Sequence, residues 1–206
     1  MDLNKFLKFL ELAGKLKTTI RFSTVDESLK LLRDTSASHS WRLSLLVILM
    51  TDELKLNINK QRALEIAIVH DIAESITGDI DATLIHRGLL TKKQKQKKEI
   101  VAIKKLAKTL SGKPGKKILA LWQEYEYGLN REAKFVKALD KIETILQILE
   151  TGYVVFDEPD FLAKYADKAV SDFPELKAFL KIIKIELKKK FKKGKIPWKK
   201  EFEENL

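Results

Sequence analysis

The 206 residues contain three histidines, His39, His70 and His86, and one of them is followed directly by an acid. That pair, His70-Asp71, stands behind the apolar run Ile66-Ala67-Ile68-Val69. Neighbouring residues on a helix point about 100° apart, so both side chains cannot share one solvent-facing strip. Burying two adjacent ionisable groups without partners is costly. A bound cation offsets that cost, and an imidazole nitrogen beside a carboxylate oxygen suits a borderline divalent ion. The alternative is a buried polar pair satisfied by backbone groups, and the dipeptide alone leaves both readings open.

Glu74 follows His70 by four residues, which on a continuous helix puts it on the same face. A carboxylate there can act as general base toward a water activated by a cation, or as proton donor to a leaving group. His39 lies in Ala37-Ser38-His39-Ser40-Trp41-Arg42; alone, it reads as a partly exposed histidine at a helix start. Asp140 interrupts the apolar face Phe135-Val136-Ala138-Leu139-Ile142-Ile145-Leu146; alone, it reads as a surface acid paired with Lys137 or Lys141. Four potential ligands on three separate helices, two of them adjacent, form a more specific combination than any one of them. His86 and its neighbour Arg87 read as surface.

Helical periodicity must supply the elements that position these groups. Leu3, Phe6, Leu7, Leu10, Ala13 and Leu16 mark one stripe of a first helix. A loop is expected from Lys17 to about Ser36, with Arg21 near its start. A second helix runs from about Ser38 to Met50. Asn59 caps a third, which the three- and four-residue steps of Ala63, Ile66, Ala67, Ala73 and Ile76 carry as far as Gly78. Lys92 to Thr109, Lys116 to Tyr127 and Arg131 to Leu149 repeat the pattern. Breaks fall at Gly112, Pro114 and Gly115 and again from Gly152 to Pro159, and a last helical stretch runs from about Phe161 to Phe191. The expectation is an all-α chain, a single-domain helical bundle over residues 1–206. Its metal-site core is about 16–150, and its C-terminal helices and Lys-rich tail span 160–206.

Composition narrows the classes. Hydrophobic residues at 45% make folding the expectation, and eight glycines with four prolines favour helices over a many-stranded sandwich. No cysteine is present, so disulfides and thiolate sites are excluded, a metal must be held by His, Asp or Glu, and a reducing cytoplasm is the natural setting. No apolar run is long enough to span a bilayer, and Met1 to Leu16 does not read as a signal peptide. The net charge of +11 could attract a polyanion such as nucleic acid or a nucleotide. Its two concentrations, Lys92 to Lys98 and Lys181 to Lys200, lack interleaved aromatics, which favours a solvated surface. A non-enzymatic nucleic-acid binder is therefore the lesser alternative.

Taken together, the order His…His-Asp…Asp resembles the HD superfamily of metal-dependent phosphohydrolases, and more closely its 5′-deoxynucleotidase branch, which hydrolyses nucleoside 5′-monophosphates. Four passages carry the resemblance: Leu16-Lys17-Thr18-Thr19-Ile20-Arg21, Ser38-His39-Ser40-Trp41-Arg42, His70-Asp71-Ile72-Ala73-Glu74-Ser75-Ile76-Thr77-Gly78-Asp79-Ile80, and Phe135-Val136-Lys137-Ala138-Leu139-Asp140-Lys141. It extends from about Leu3 to about Glu150. It implies metal ligation by His39, His70, Asp71 and Asp140, and a catalytic role for Glu74. It further implies phosphate binding by Arg21, and a role for Asp79 in holding the sugar or orienting reacting groups. Gly78 is read as letting backbone approach closely beside Asp79. Two positions depart from the family's pattern: Phe22-Ser23-Thr24 stands where a glycine-tryptophan pair is usual, and Ser38 where an acid often precedes the first histidine.

The expected activity is removal of the 5′-phosphate from (deoxy)nucleoside monophosphates with a divalent cation, which the N/O ligand set allows to be Mn, Co, Fe, Ni, Zn or Mg. Lys92 or Lys95 is a candidate for added positive charge at the phosphate. The alternative within the superfamily is another nucleotide substrate: a cyclic nucleotide, a triphosphate or an alarmone. A homodimer is expected, and neither a membrane nor nucleic acid is expected as a partner.

Overall fold

A computed structural model describes residues 2–25, 31–110, 112–151 and 157–203; the side chains of residues 22–25 and 31–32 lie outside the described part, those of Phe22-Ser23-Thr24 among them. The break expected from Gly152 to Pro159 falls largely outside it as well.

Helix α1 (Leu3–Ala13) is capped by Asp2 and leads through a 3-10 turn to a feature that the periodicity did not suggest. The expected loop from Lys17 is an antiparallel hairpin of β1 (Ile20–Val25) and β2 (Leu31–Thr35). Ile20 pairs with Thr35 and Phe22 with Asp34, so Arg21 is the extra residue of a bulge. Bulges redirect a side chain and recur beside active sites. The hairpin escaped notice because residues 26–30, Asp-Glu-Ser-Leu-Lys, contain no glycine, proline or asparagine to mark a turn.

Helix α2 (Ser36–Glu53) begins two residues before its expected start. Thr35 and Ser38 form a capping box: the Ser38 amide donates to Thr35 Oγ1, and the Thr35 amide donates to Ser38 Oγ. Ser38 therefore has a local structural role where the family often has an acid. Its hydroxyl also donates to Asp34 at 2.7 Å. Helix α3 (Lys60–Val69) starts on Asn59 as expected, but it does not continue to Gly78. From His70 the chain tightens into three-residue turns, with the Ile72 amide on Val69 and the Glu74 amide on Asp71, before the short α4 (Glu74–Thr77). The tight turns alter the angular relation between His70, Asp71 and Glu74 that a continuous helix would impose.

Gly78 ends α4 at φ 71° and ψ 166°, a conformation that is essentially glycine-only. A Cβ placed there meets nothing within 4 Å, so backbone geometry, rather than the expected close approach, requires the glycine. After α5 (Ala82–His86), helix α6 (Lys92–Thr109) runs at its expected bounds. It packs on α7 (Lys113–Tyr127), where a Cβ on Gly115 would meet the Ala107 carbonyl oxygen at 2.2 Å.

Helix α8 (Arg131–Thr151) is the hub. Phe135, Val136, Ala138, Leu139, Ile142 and Ile145 are fully buried along it, and α2, α3 and α7 pack against it. The expected last helix is divided into α9 (Pro159–Lys164), α10 (Asp167–Ser171), a 3-10 turn at Pro174 and α11 (Lys177–Lys193), which buries Leu180, Ile183, Leu187 and Phe191. One lysine of the basic tail turns inward. Lys184, only 2% exposed, pairs with Asp167 at 2.6 Å and donates to the Phe202 carbonyl at 2.7 Å. The fold is thus a single helical domain with one small hairpin, and among the described residues no helix is long and apolar enough to cross a membrane.

Candidate metal centre

Three helical segments bring imidazoles and carboxylates to one buried point. His39 comes from the second turn of α2, His70 from the end of α3, Asp71 from the tight turn after it, and Asp140 from the middle of α8. His39 and His70 are buried, and their Nε2 atoms lie 3.2 Å apart. Asp71 Oδ2 stands 3.0 Å from His70 Nε2 and 3.7 Å from His39 Nε2. Asp140 Oδ1 lies 3.1 Å from His39 Nε2. One ligand atom from each of His39, His70 and Asp71 lies within 4.8 Å of the others. Asp140 adjoins that trio through His39.

The hydrogen bonds at the far side of each ring set what the near side offers. His70 Nδ1 faces the Ala67 carbonyl at 2.8 Å, which can only accept, so Nδ1 carries the proton. His39 Nδ1 donates to Glu143 Oε2. With a proton on Nδ1 alone, each ring would turn a lone pair on Nε2 toward the other and toward the carboxylates of Asp71 and Asp140. A knot of convergent acceptors needs positive charge between them, and two imidazoles with one or two carboxylates are a donor set for a divalent cation. The residues present fit the group that their types suggested.

Positive charge within the protein now shares that task. Arg21, aimed by the bulge, donates from Nη1 to Asp71 at 2.7 Å and from Nη2 to Thr144 at 3.3 Å. Burial acts against the Arg21 charge, but Asp71 and Asp140 outweigh it and raise its pKa. Burial and Arg21 pull His39 down, yet the carboxylates of Asp140 and Glu143 prevail and lift it to about 9. Burial would raise Asp71, but His70 and Arg21 hold it well below the carboxylate range. Asp140 is likewise held low against burial, by Lys141 and His39. Lys141 lies 2.9 Å from Asp140, so the ion pair read from the sequence forms, while Lys137 instead donates to the Glu126 carbonyl.

Glu74 is 3% exposed and accepts from the Ser36 hydroxyl at 2.6 Å. Burial, then the charges of Asp71 and Asp79, push its carboxyl up to about 10, so it carries a proton at neutral pH. Asp79 is also raised, chiefly by burial. Both line a cavity of about 680 Å³ together with Arg21, Asp71, Lys95 and Tyr165. His86 and Arg87 are exposed as expected; Arg87 also lines the rim of this cavity and pairs with Glu158 at 2.7 Å.

Several contributors were not singled out from the sequence. Tyr125 donates to Asp140 Oδ2 at 2.6 Å, Ser36 holds Glu74, and Glu143 holds His39. Glu143 had a signal, since it follows Asp140 by three residues on the same helix. Tyr125 and Ser36 had none, because their partners are 15 and 38 residues away in sequence.

The HD domain family model matches residues 13–169, a span that contains every residue of this cluster. A 5′-deoxynucleotidase of Dictyostelium discoideum is 36% identical over 154 residues, 72% of this chain and 78% of that protein. A 5′-deoxynucleotidase of Homo sapiens is 37% identical over 145 residues, 70% of this chain and 67% of its own length. Among solved structures, a predicted metal-dependent phosphohydrolase from Magnetospirillum magnetotacticum shares the fold, with a TM-score of 0.74 at 24% identity over 91% of this chain and 93% of that one. With its matched span and its curated relatives, this chain belongs to the HD-domain family.

Proposed function

We infer that this chain is a divalent-cation-dependent phosphohydrolase that removes the 5′-phosphate from (deoxy)nucleoside monophosphates. The observation that carries the reading is the convergence of His39 and His70 Nε2 with Asp71 and Asp140 beside a nucleotide-sized cavity. The 5′-deoxynucleotidase relatives supply the substrate class.

His39, His70, Asp71 and Asp140 would hold the cation. Bound there, it supplies Lewis acidity toward a phosphate oxygen and toward the attacking water. Arg21 and Lys95, both on the cavity wall, supply positive charge against the phosphate, Arg21 with a planar fork that matches its oxygens. Glu74, buried beside Asp71 on the cavity wall, is the group to handle the proton of the attacking water or of the departing 5′-oxygen. Asp79, next to Glu74, orients the sugar or that proton. The cysteine-free chain suits a reducing cytoplasm. A homodimer is supported by α2, which exposes Trp41, Leu45, Ile48 and Leu49 along one helical face.

The reading is tested by stripping divalent ions, adding them back singly, and measuring phosphate release from a panel of ribo- and deoxyribonucleoside monophosphates. Cation-dependent release of inorganic phosphate is expected. Release of pyrophosphate or tripolyphosphate from other nucleotides, with monophosphates untouched, would sink it.

A further inference from the structure

We propose that Glu143 and Arg42 form a brace that presents His39 as a cation ligand, so that cation affinity depends on two residues which do not touch the cation. The proposal rests on the phosphohydrolase reading above. Glu143 is 1% exposed, and its two oxygens are divided between two partners. Oε2 accepts from His39 Nδ1, and Oε1 accepts from Arg42 Nε at 2.7 Å. Arg42 is anchored at its other end, with Nη1 on Glu150 at 2.7 Å and Nη2 on Gln147 at 2.8 Å. Residues 143, 147 and 150 lie along one face of α8, and residues 39 and 42 along one face of α2. One guanidinium therefore ties two turns of α8 to α2 and leaves the Glu143 carboxylate little freedom to turn away.

When a cation takes one ring nitrogen, His39 keeps a single proton, and the brace decides that Nδ1 holds it. His39 sits between two carboxylates, Glu143 at Nδ1 and Asp140 at Nε2. With the ring proton on Nδ1, Nε2 has a lone pair for a cation. With the proton on Nε2, the ring donates to Asp140 and is lost as a ligand. Arg42 and the surrounding turns of α8 keep Glu143 in place as the acceptor for Nδ1. A carboxylate or other acceptor behind a ligating histidine is a recurrent arrangement, and its loss typically costs about 10- to 100-fold in metal affinity.

The experiment uses the full chain. Mn²⁺ affinity is measured by competition with a chromophoric chelator, and Co²⁺ absorption reports the coordination, for the unaltered protein and for Glu143→Ala, Glu143→Gln and Arg42→Gln. Circular dichroism establishes that each is folded. The expected result is a loss of about 10- to 100-fold in Mn²⁺ affinity for Glu143→Ala. A smaller loss is expected for Arg42→Gln and for Glu143→Gln, whose amide oxygen still accepts from Nδ1. Saturating Mn²⁺ is expected to restore kcat, because the reacting groups are untouched. Should Glu143→Ala fail to fold, the other two variants decide. Wild-type Mn²⁺ affinity in the folded variants overturns the brace, as does a kcat that stays low at saturating Mn²⁺. An unaltered protein that neither binds Mn²⁺ nor releases phosphate removes the functional reading and the brace together. One that does both, with variants that bind Mn²⁺ equally well, removes the brace alone.

Discussion

Replacing Glu74 by glutamine should inactivate the protein and at the same time make its cation-free form more stable. Burial and the neighbouring charges of Asp71 and Asp79 raise the Glu74 carboxyl from its ordinary 4.5 to about 10. Across that interval the folded protein keeps a proton that the unfolded chain has lost, so stability falls as pH rises from about 4.5 toward 10. Each pH unit costs about 1.4 kcal/mol, so the roughly 2.5 units up to pH 7 cost about 3 kcal/mol. Glutamine removes the titration, retains an oxygen to accept from Ser36, and changes the volume little. For a chain of this length, about 3 kcal/mol corresponds to roughly 6–12 °C in Tm. The assay is calorimetry of cation-stripped wild type and Glu74→Gln from pH 5 to pH 8, with phosphate release measured on the cation-loaded forms. The stability difference should be small at pH 5 and grow with pH. A difference that is absent at pH 7, or flat with pH, refutes the assignment of a buried, protonated carboxyl. Retained turnover removes Glu74 from the chemistry.

Two further outcomes follow from the packing. Lys184→Met leaves Asp167 buried without its counter-charge and should destabilise the fold by about 3–5 kcal/mol, as read by urea denaturation, with kcat unchanged. Adding Asp167→Leu should recover most of that loss, and failure to do so contradicts the ion-pair account. Leu45→Glu with Leu49→Glu should convert a dimer to monomers in sedimentation velocity; a wild-type protein that is monomeric at every concentration tested rules out the α2 face as a dimer interface.

The candidate site residues were legible because potential ligands are scarce and their spacing is unusual. A His-Asp pair inside an apolar run, with a glutamate three residues on and Gly-Asp after it, is hard to explain as surface. The helices that carry them were legible for the same reason that most helices are: apolar residues recur at the period of the buried face, as on α8. Caps marked several starts, Asn59 among them.

Where the reading departed from the structure, long-range contacts had overridden local pattern. Periodicity carried α3 past His70, but the chain tightens there, and Asp71 meets a guanidinium fifty residues earlier. The hairpin that delivers Arg21 has no glycine, proline or asparagine to announce it, and its bulge exists only as a register between two strands. Ser36, Tyr125 and Arg42 look ordinary in the sequence because what they do depends on which helix lies opposite.

The sequence by itself determined the helical class and the candidate ligand types, since these depend on residue chemistry and short spacings, and the reaction was legible only through the family resemblance that four passages carry. Only the tertiary structure decided how His70-Asp71 escapes being a costly buried pair. Its charges are balanced by Arg21 from a hairpin and by His39 from another helix, partners that no local spacing could specify.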